Sequence, residues 1–204
     1  MREKGLVVFI RSNSADEARH AIDIALESKL NIVEVTMNTP DALNLIRSAR
    51  EANPDTLIVG AGTVLDPETA RTCILAGAKF IVSPHMNPEV IATCRRYTVT
   101  CIPGTLTATE VVAAWEAGAD FCKIFPAASV GGPSYLKYLK GPLPQIEMIP
   151  TGGVTPADAA DYIRAGAAAV GIKSDIIFEK NKTVAHNVAN VHRVLDAIKA
   201  ARSA

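Results

Sequence analysis

Eight short apolar segments alternate with segments of amphipathic helical pattern along this chain, and this alternation constrains its fold more than any other feature. Segments rich in Val, Ile and Phe predict strands, and strands that alternate with helices are typical of parallel sheets with crossover helices. The predicted strands cover residues 6–10, 31–36, 57–61, 80–83, 99–102, 121–124, 146–149 and 168–172. Eight strand–helix pairs without a linker predict a single α/β domain over residues 1–204, folded as a (β/α)8 TIM barrel.

Several of the intervening segments carry proline in the first helical turn, where its missing N–H costs no hydrogen bond. The predicted helices begin near Ala15, Pro40, Pro67, Pro88, Thr107, Ser134 and Pro156, and a last one contains Val184, Val188, Val191, Leu195 and Ile198. Three Ala-Gly-Ala sequences, at 76–78, 117–119 and 165–167, are expected to end helices, because glycine readily takes the left-handed conformation. An open doubly wound sheet is the alternative, but the Gly-Ala-Gly turn predicted at 60–62 does not continue as Gly-x-Gly-x-x-Gly.

Charge and composition argue against several classes of function. The chain has 21 Lys and Arg residues against 21 Asp and Glu residues, so it has no electrostatic reason to bind nucleic acid or a membrane surface. It has no long apolar segment and no signal-peptide pattern, which predicts a cytoplasmic protein. Its four cysteines lack metal-site or redox spacing and are expected to be reduced core thiols, and its four histidines form no metal-binding motif.

Three charged residues lie within or directly after apolar strands: Arg11, Glu34 and Lys123. A (β/α)8 barrel has its active site at the C-terminal ends of its strands, and a buried charge is costly unless it has a partner or a task. Glu34 and Lys123 could form a buried ion pair that only packs the barrel, although such a pair is a weak source of stability. Alternatively, desolvation lowers the pKa of Lys123 so that it attacks a carbonyl group and forms a Schiff base, while Glu34 transfers protons.

The sequence around Lys123, Lys-Ile-Phe-Pro at 123–126, and Pro-Thr-Gly-Gly at 150–153 belong to an ordered set of motifs. The others are Val-Glu-Val-Thr at 33–36, Gly-Ala-Gly-Thr-Val-Leu at 60–65, Ser-Pro at 83–84, Ile-Pro-Gly at 102–104 and Gly-Pro at 141–142. In this set the chain resembles the 2-keto-3-deoxy-6-phosphogluconate (KDPG) aldolases, including their bifunctional 4-hydroxy-2-oxoglutarate (KHG) aldolase members. The resemblance extends from about residue 7 to residue 176.

The resemblance implies a homotrimeric class I aldolase that needs no cofactor. It implies that Lys123 forms the Schiff base, that Glu34 is the general acid and base, and that Thr63 holds the carboxylate end of the substrate. Backbone amides near three residues would bind the substrate phosphate: Gly152, Gly153 and Ser174. Glycines before a helix that begins near Pro156 independently favour such an anion site, although an ordinary tight loop is the alternative. Pro84, Phe125, Thr151 and Lys173 complete the predicted substrate-binding set.

Two positions depart from the family pattern. Asn38 stands where many relatives carry an arginine that binds the substrate carboxylate, and Arg11 is the predicted substitute because a guanidinium binds a carboxylate through two hydrogen bonds. Lys173 stands where the family commonly has glycine, and its side chain either adds charge to the phosphate pocket or points to solvent. His85, after the fourth strand, either contacts the aldehyde portion of the substrate or is a solvated loop residue.

The predicted reaction is reversible cleavage of KDPG to pyruvate and glyceraldehyde 3-phosphate, with 4-hydroxy-2-oxoglutarate as a candidate second substrate. The galactonate epimer of KDPG is an alternative substrate. A phosphosugar isomerase or epimerase that uses Glu34 for proton transfer is an alternative of another mechanism. A phosphometabolite-binding protein without activity is the alternative of another class.

Overall fold

The computed structural model of the protein describes residues 1–203. The strands are β1 (Leu6–Ile10), β2 (Ile32–Thr36), β3 (Ile58–Gly62), β4 (Phe80–Val82), β5 (Thr100–Ile102), β6 (Gly104–Thr105), β7 (Cys122–Ile124), β8 (Met148–Pro150) and β9 (Val170–Lys173). The helices are α1 (Ala15–Glu27), α2 (Ala42–Ala52), α3 (Pro67–Leu75), α4 (Pro88–Arg96), α5 (Ala108–Glu116), α6 (Pro133–Lys140), α7 (Ala159–Arg164), α8 (Ser174–Ile177) and α9 (Val184–Ser203). None of the helices in this range is long and apolar enough to cross a membrane.

All of the paired strands run parallel, in two arcs. The six-stranded arc has the order β5-β4-β3-β2-β1-β9, and the three-stranded arc has the order β6-β7-β8. A parallel bridge between Thr151 and Gly171 joins β8 to β9. At the other seam Pro103 separates β5 from β6, and the Asp120 N–H donates to the Cys101 carbonyl at 3.2 Å. Because β5 and β6 are one interrupted strand, the arcs form a barrel of eight strands, which confirms the predicted (β/α)8 fold.

The order of elements confirms the eight predicted strands, with ends that differ by one or two residues. The turn predicted at 60–62 is wrong, because these residues form the end of β3. Two helices begin later than their prolines predict: α2 begins at Ala42 and α7 at Ala159. Helix α8, which the sequence pattern did not predict, lies between β9 and the last helix.

The predicted helix ends at the three Ala-Gly-Ala sequences are confirmed. Gly77, Gly118 and Gly166 follow α3, α5 and α7 directly after the capping residue, and each has a positive φ. The left-handed backbone stops each helix one turn before the next strand. These stops return the chain to the N-terminal edge of the barrel in three of its crossovers.

The inside and the outside of the barrel have separate apolar cores. The larger core fills the space between strands and helices, and all four cysteines lie in it as free, buried thiols, as expected from the sequence. The smaller core lies inside the barrel and consists of Val7, Ile32, Phe80, Val82, Ile102, Ile149 and Ala169. Inward-facing positions therefore alternate with outward-facing ones along each strand, as the pleat requires.

Two glycines in β3 leave room for larger side chains inside the barrel. A Cβ atom on Gly60 would collide with the ring of Phe80, and one on Gly62 would collide with the carboxyl of Glu34. Glycine is therefore required at both positions by the side chains of neighbouring strands rather than by a turn. This explains why a Gly-Ala-Gly sequence forms a strand here.

We expect Gly60→Ala to lower the free energy of unfolding by about 1–3 kcal/mol, the usual cost of overpacking a core. Gly141→Ala is a matched control, because Gly141 has an ordinary helical φ of −52° and a Cβ there would meet its nearest atom at 3.6 Å. That control should be neutral or stabilising by about 0.4–1 kcal/mol. Urea unfolding measures both values, and equal effects would show that the Phe80 ring does not exclude a methyl group.

Candidate active site

Glu34 lies on β2 and Lys123 lies on β7. Both side chains point into the interior of the barrel. The residues are only 5% and 6% exposed, although both carry ionisable groups. They line one small cavity, whose other walls are Val7, Val82, Ile102, Ile149, Thr151 and Gly171. The walls are largely apolar, so the cavity gives each charge little solvation.

This burial changes the acidity of both groups. Burial raises the pKa of the Glu34 carboxyl, and the nearby positive charges of Lys123 and Arg11 oppose that shift less strongly. Burial lowers the pKa of the Lys123 amine, Glu34 opposes this, and Arg11 adds to it. Both shifts favour the neutral forms, a carboxylic acid and a nucleophilic amine.

Glu34 and Lys123 form no direct salt bridge with each other among the ion pairs of residues 1–203. Nor does the Glu34 carboxylate accept a side-chain hydrogen bond from any described residue. A pair retained only for packing would be expected to make such contacts, because an unpaired buried charge is costly. The geometry therefore favours a chemical role over the packing ion pair.

The backbone of Lys123 is tied to the neighbouring strand. Its N–H donates to the Pro103 carbonyl at 2.9 Å, and its carbonyl accepts the hydroxyl of buried Thr105 at 3.1 Å. The amine nitrogen lies 5.0 Å from the centroid of the Phe125 ring. These contacts hold the lysine at one height in the barrel and give its amine an aromatic wall.

Arg11 and Thr63 meet at the C-terminal rim. Arg11 follows β1, is exposed, and donates from Nη2 to the Thr63 hydroxyl at 3.2 Å. Its guanidinium carbon also lies 5.8 Å from the Phe9 ring centroid. Asn38, in the loop after β2, is exposed. The structure thus brings together the arginine and the threonine that were predicted to hold a carboxylate.

The loop after β8 is held against the loop after β7. Buried Thr151 donates its N–H to the Ile124 carbonyl and accepts the Ala127 N–H with its own carbonyl, both at 2.9 Å. Gly152 and Gly153 follow with φ values of +87° and +82°. A Cβ on Gly152 would lie 2.9 Å from the Phe125 ring, and one on Gly153 would collide with Ala128. Both the backbone conformation and the close approach therefore require glycine.

Lys173 and Ser174 stand at the end of β9, beside β1. The Lys173 amine lies 2.5 Å from an oxygen of Asp175, so its charge is paired, and neither predicted orientation described that contact. Ser174 is buried and begins α8. Both residues share with Arg11 a cleft of about 580 Å³ that extends between α1 and α9. The cleft connects the rim of the barrel to its outer helices.

Pro84 and His85 lie on the far side of the rim, after β4. Pro84 is half-buried, and a Cβ on Gly104 would collide with its carbonyl group. His85 is exposed and accepts the Gly104 N–H with its carbonyl at 3.3 Å, which fits a solvated loop residue. Within residues 1–203 no cluster of three or more His, Cys, Asp or Glu residues is placed to hold a metal ion.

Three threonines with structural roles beside this site were missed by the sequence analysis. Thr105 bonds to the Lys123 backbone, and Thr36 and Thr39 bond to the carbonyl that precedes Arg11. Thr36 shares the strand parity of Glu34, which was a usable signal. Thr39 and Thr105 are common residue types near strand ends, and no spacing in the sequence marks them.

Comparison with known proteins identifies the family of the chain. Residues 1–194 match the family described as "Aldolase: KDPG and KHG aldolase". The chain belongs to the KDPG/KHG aldolase family. It is therefore an aldolase, a carbon–carbon lyase, and the predicted family is confirmed.

The relatives in this family include aldolases for two epimeric substrates. The chain is 38% identical to the 2-dehydro-3-deoxy-6-phosphogalactonate aldolase of Escherichia coli strain K12, over 84% of this chain and 83% of the relative. It is 40% identical to the 2-dehydro-3-deoxy-phosphogluconate aldolase of Pseudomonas aeruginosa, over 79% of this chain and 73% of the relative. The chain is therefore similar, at nearly equal identity, to aldolases named for either epimer.

Solved structures of the family share the fold. One described as "Native KDPGal structure" superposes with a TM-score of 0.88 at 34% identity, over 98% of this chain and 96% of the other. The KDPG aldolase of Legionella pneumophila, with pyruvate captured at low pH as a covalent carbinolamine intermediate, has a TM-score of 0.75 at 26% identity. The shared region is 97% of this chain and 93% of that one.

We expect Lys123 to titrate below the ordinary lysine value of about 10.4, because burial disfavours its charged form. Glu34→Gln should lower the pKa of Lys123 further, since it removes the negative charge that stabilises the ammonium. The ¹³Cε chemical shift of Lys123 in lysine-labelled protein measures both values. Glu116→Gln, on the exposed end of α5, should leave that titration unchanged. An upward shift in Glu34→Gln would contradict the described electrostatics.

Proposed function

We propose that the protein cleaves a phosphorylated 2-keto-3-deoxy sugar acid into pyruvate and glyceraldehyde 3-phosphate through a Schiff base on Lys123. The observation that carries this proposal is the buried Lys123 amine, with its pKa lowered, in a cavity that also contains Glu34. A neutral amine is the nucleophilic form, and desolvation increases the fraction of Lys123 in that form at any given pH. The carbinolamine captured in the Legionella pneumophila relative supports the same covalent chemistry.

The reaction begins when the Lys123 amine attacks the C2 ketone of the substrate. Glu34, in its protonated form, donates its proton to the hydroxyl of the resulting carbinolamine, so water leaves and an iminium ion forms, which can accept an electron pair. Glu34 then removes the proton of the C4 hydroxyl, directly or through a water molecule. The C3–C4 bond breaks, its electrons form an enamine on Lys123, and glyceraldehyde 3-phosphate leaves as the aldehyde.

The return of the enzyme to its starting state uses the same two residues. Glu34, now protonated, donates a proton to C3 of the enamine and regenerates an iminium ion. Water adds to C2 and gives up a proton to the Glu34 carboxylate, the C2–N bond breaks, and pyruvate leaves with Lys123 restored as an amine. Burial supports both steps of proton transfer, because it raises the pKa of Glu34 toward the range of a useful acid and base.

The rim residues are proposed to bind the two anionic ends of the substrate. Arg11 and Thr63 would hold the carboxylate, since their side chains already meet at 3.2 Å. Three residues that follow β8 and β9 would supply backbone N–H groups for the phosphate: Gly152, Gly153 and Ser174. Four others would line the sugar or the phosphate pocket: Pro84, Phe125, Thr151 and Lys173. The Lys173 contribution is reduced by its pairing with Asp175.

The two C4 epimers, the gluconate and the galactonate compounds, are both candidate substrates. The 40% identical gluconate relative supports the first, and the 38% identical galactonate relative supports the second. Comparing kcat/KM for the two, and for 4-hydroxy-2-oxoglutarate, assigns the substrate.

We further propose a cytoplasmic homotrimer of single-domain chains, as the family resemblance implies. The family match favours carbon–carbon cleavage over the isomerase and the inactive binding protein.

Incubation with pyruvate and borohydride should label the peptide that contains Lys123, because borohydride reduces an imine to a stable amine. Lys123→Met should abolish the label, whereas Lys173→Met, the control at the other rim lysine, should retain it. Glu34→Gln should still be labelled while its turnover falls by about 10²-fold or more, the scale of general acid–base catalysis. A label on Lys173, or near-normal turnover in Glu34→Gln, would overturn these assignments.

Arg11→Ala should lower kcat/KM by a factor that corresponds to about 2–4 kcal/mol of lost transition-state stabilisation, because it removes the cation that balances the substrate carboxylate. Arg11→Lys should recover only part of the loss, since an ammonium lacks the planar fork of hydrogen-bond donors. Arg19→Ala is the matched control, because Arg19 lies exposed on α1 and pairs with Asp16. Steady-state cleavage kinetics measure all three, and a wild-type kcat/KM in Arg11→Ala would leave carboxylate binding to other groups.

A further inference from the structure

Two buried threonines tie the end of β2 to the backbone on both sides of Arg11. Thr36 and Thr39 are 0% and 3% exposed. The Thr36 hydroxyl donates to the Ile10 carbonyl at 3.1 Å, and the Thr39 hydroxyl lies 3.3 Å from the same oxygen. The Ser12 N–H donates to the Thr39 hydroxyl at 3.4 Å. Since Ile10 and Ser12 directly precede and follow Arg11, these bonds restrain the backbone at that residue.

The two hydroxyls act as a pair. They lie 3.1 Å apart, so one can donate to the other while the second donates to the Ile10 carbonyl. The Thr39 oxygen remains free to accept the Ser12 N–H. The Thr39 hydroxyl reaches both sides of Arg11, so its loss leaves the Ser12 N–H without its acceptor, whereas loss of the Thr36 hydroxyl removes one of the two donors to the Ile10 carbonyl.

Arg11 needs such support because its side chain is long and exposed. Its contacts with Thr63 and with the Phe9 ring are the two that orient the guanidinium. An arginine side chain that becomes ordered when an anion binds loses rotational freedom about several bonds, and this loss of conformational entropy reduces the affinity. Ordering the loop around Arg11 would add to this cost, and a backbone that is already held on both sides avoids that addition.

We propose that Thr36 and Thr39 are positioning residues that orient Arg11 toward the substrate carboxylate. This inference rests on the proposed role of Arg11. The loop between the two threonines contains neutral Asn38, so it supplies no cation itself. It contributes instead by holding the cation that the neighbouring strand provides.

The test compares Thr39→Val, which keeps the branched shape and removes the hydroxyl, with Thr39→Ser, which keeps the hydroxyl. Thr39→Val should raise KM for sugar-acid cleavage about 10-fold with kcat within about 3-fold, because a lost positioning contact acts on binding. Thr39→Ser should stay within about 2-fold of wild type in both constants. In the Arg11→Ala background, Thr39→Val should change KM less than about 2-fold, since no arginine remains to position.

Thr93→Val, a buried threonine on the outer helix α4, controls for the general effect of replacing a buried threonine and should leave both constants unchanged. Thermal unfolding of each variant verifies that it is folded at the assay temperature. If Thr39→Val does not fold, Thr36→Val replaces it, because it removes the other hydroxyl from the same carbonyl.

The outcomes separate the two proposals. The positioning role is supported if Thr39→Val raises KM only in protein that retains Arg11 and if Thr39→Ser does not raise it. An unchanged KM in Thr39→Val, or an equal rise in both backgrounds, overturns the positioning role while Arg11 keeps its own. An unchanged KM in Arg11→Ala overturns the carboxylate role of Arg11 and the positioning role with it.

Discussion

The structure depends on keeping two ionisable side chains inside an apolar barrel without pairing them. Glu34 and Lys123 both lose most of their hydration, and burial moves the pKa of each toward its neutral form. A direct ion pair would be the simpler way to bury these groups, but it would hold the amine protonated and unreactive. The barrel instead uses apolar walls and the positive charge of Arg11, which together lower the pKa of Lys123, while burial raises the pKa of Glu34.

The surroundings of this pair explain features that look unrelated along the chain. Gly60 and Gly62 lack side chains because Phe80 and Glu34 occupy that space. Gly152 approaches the Phe125 ring, which in turn forms a wall beside the Lys123 amine. The glycines thus serve the packing of the site, and each is required by a side chain from a different segment of the chain.

The sequence predicted much of the fold and the centre of the site, for identifiable reasons. Apolar runs mark buried parallel strands, and a charge within such a run, as at Lys123, is rare enough to stand out. The turn expected at 60–62 was wrong because glycine has no local signal that separates a turn from a crowded strand. Four-residue α8 has no measurable periodicity, and the Lys173–Asp175 contact and the bonds of Thr39 depend on tertiary geometry that spacing does not encode.

The interruption of the barrel at Pro103 has a mechanical consequence. The six-stranded arc carries Glu34 and the Arg11 rim, whereas the three-stranded arc carries Lys123 and leads into the glycine loop. The arcs meet at only two seams, one beside Pro103 and one at the Thr151–Gly171 bridge. Glu34 and Lys123, the proposed proton donor and nucleophile, therefore lie on opposite sides of both joints, and any slippage of one arc against the other changes the distance between them.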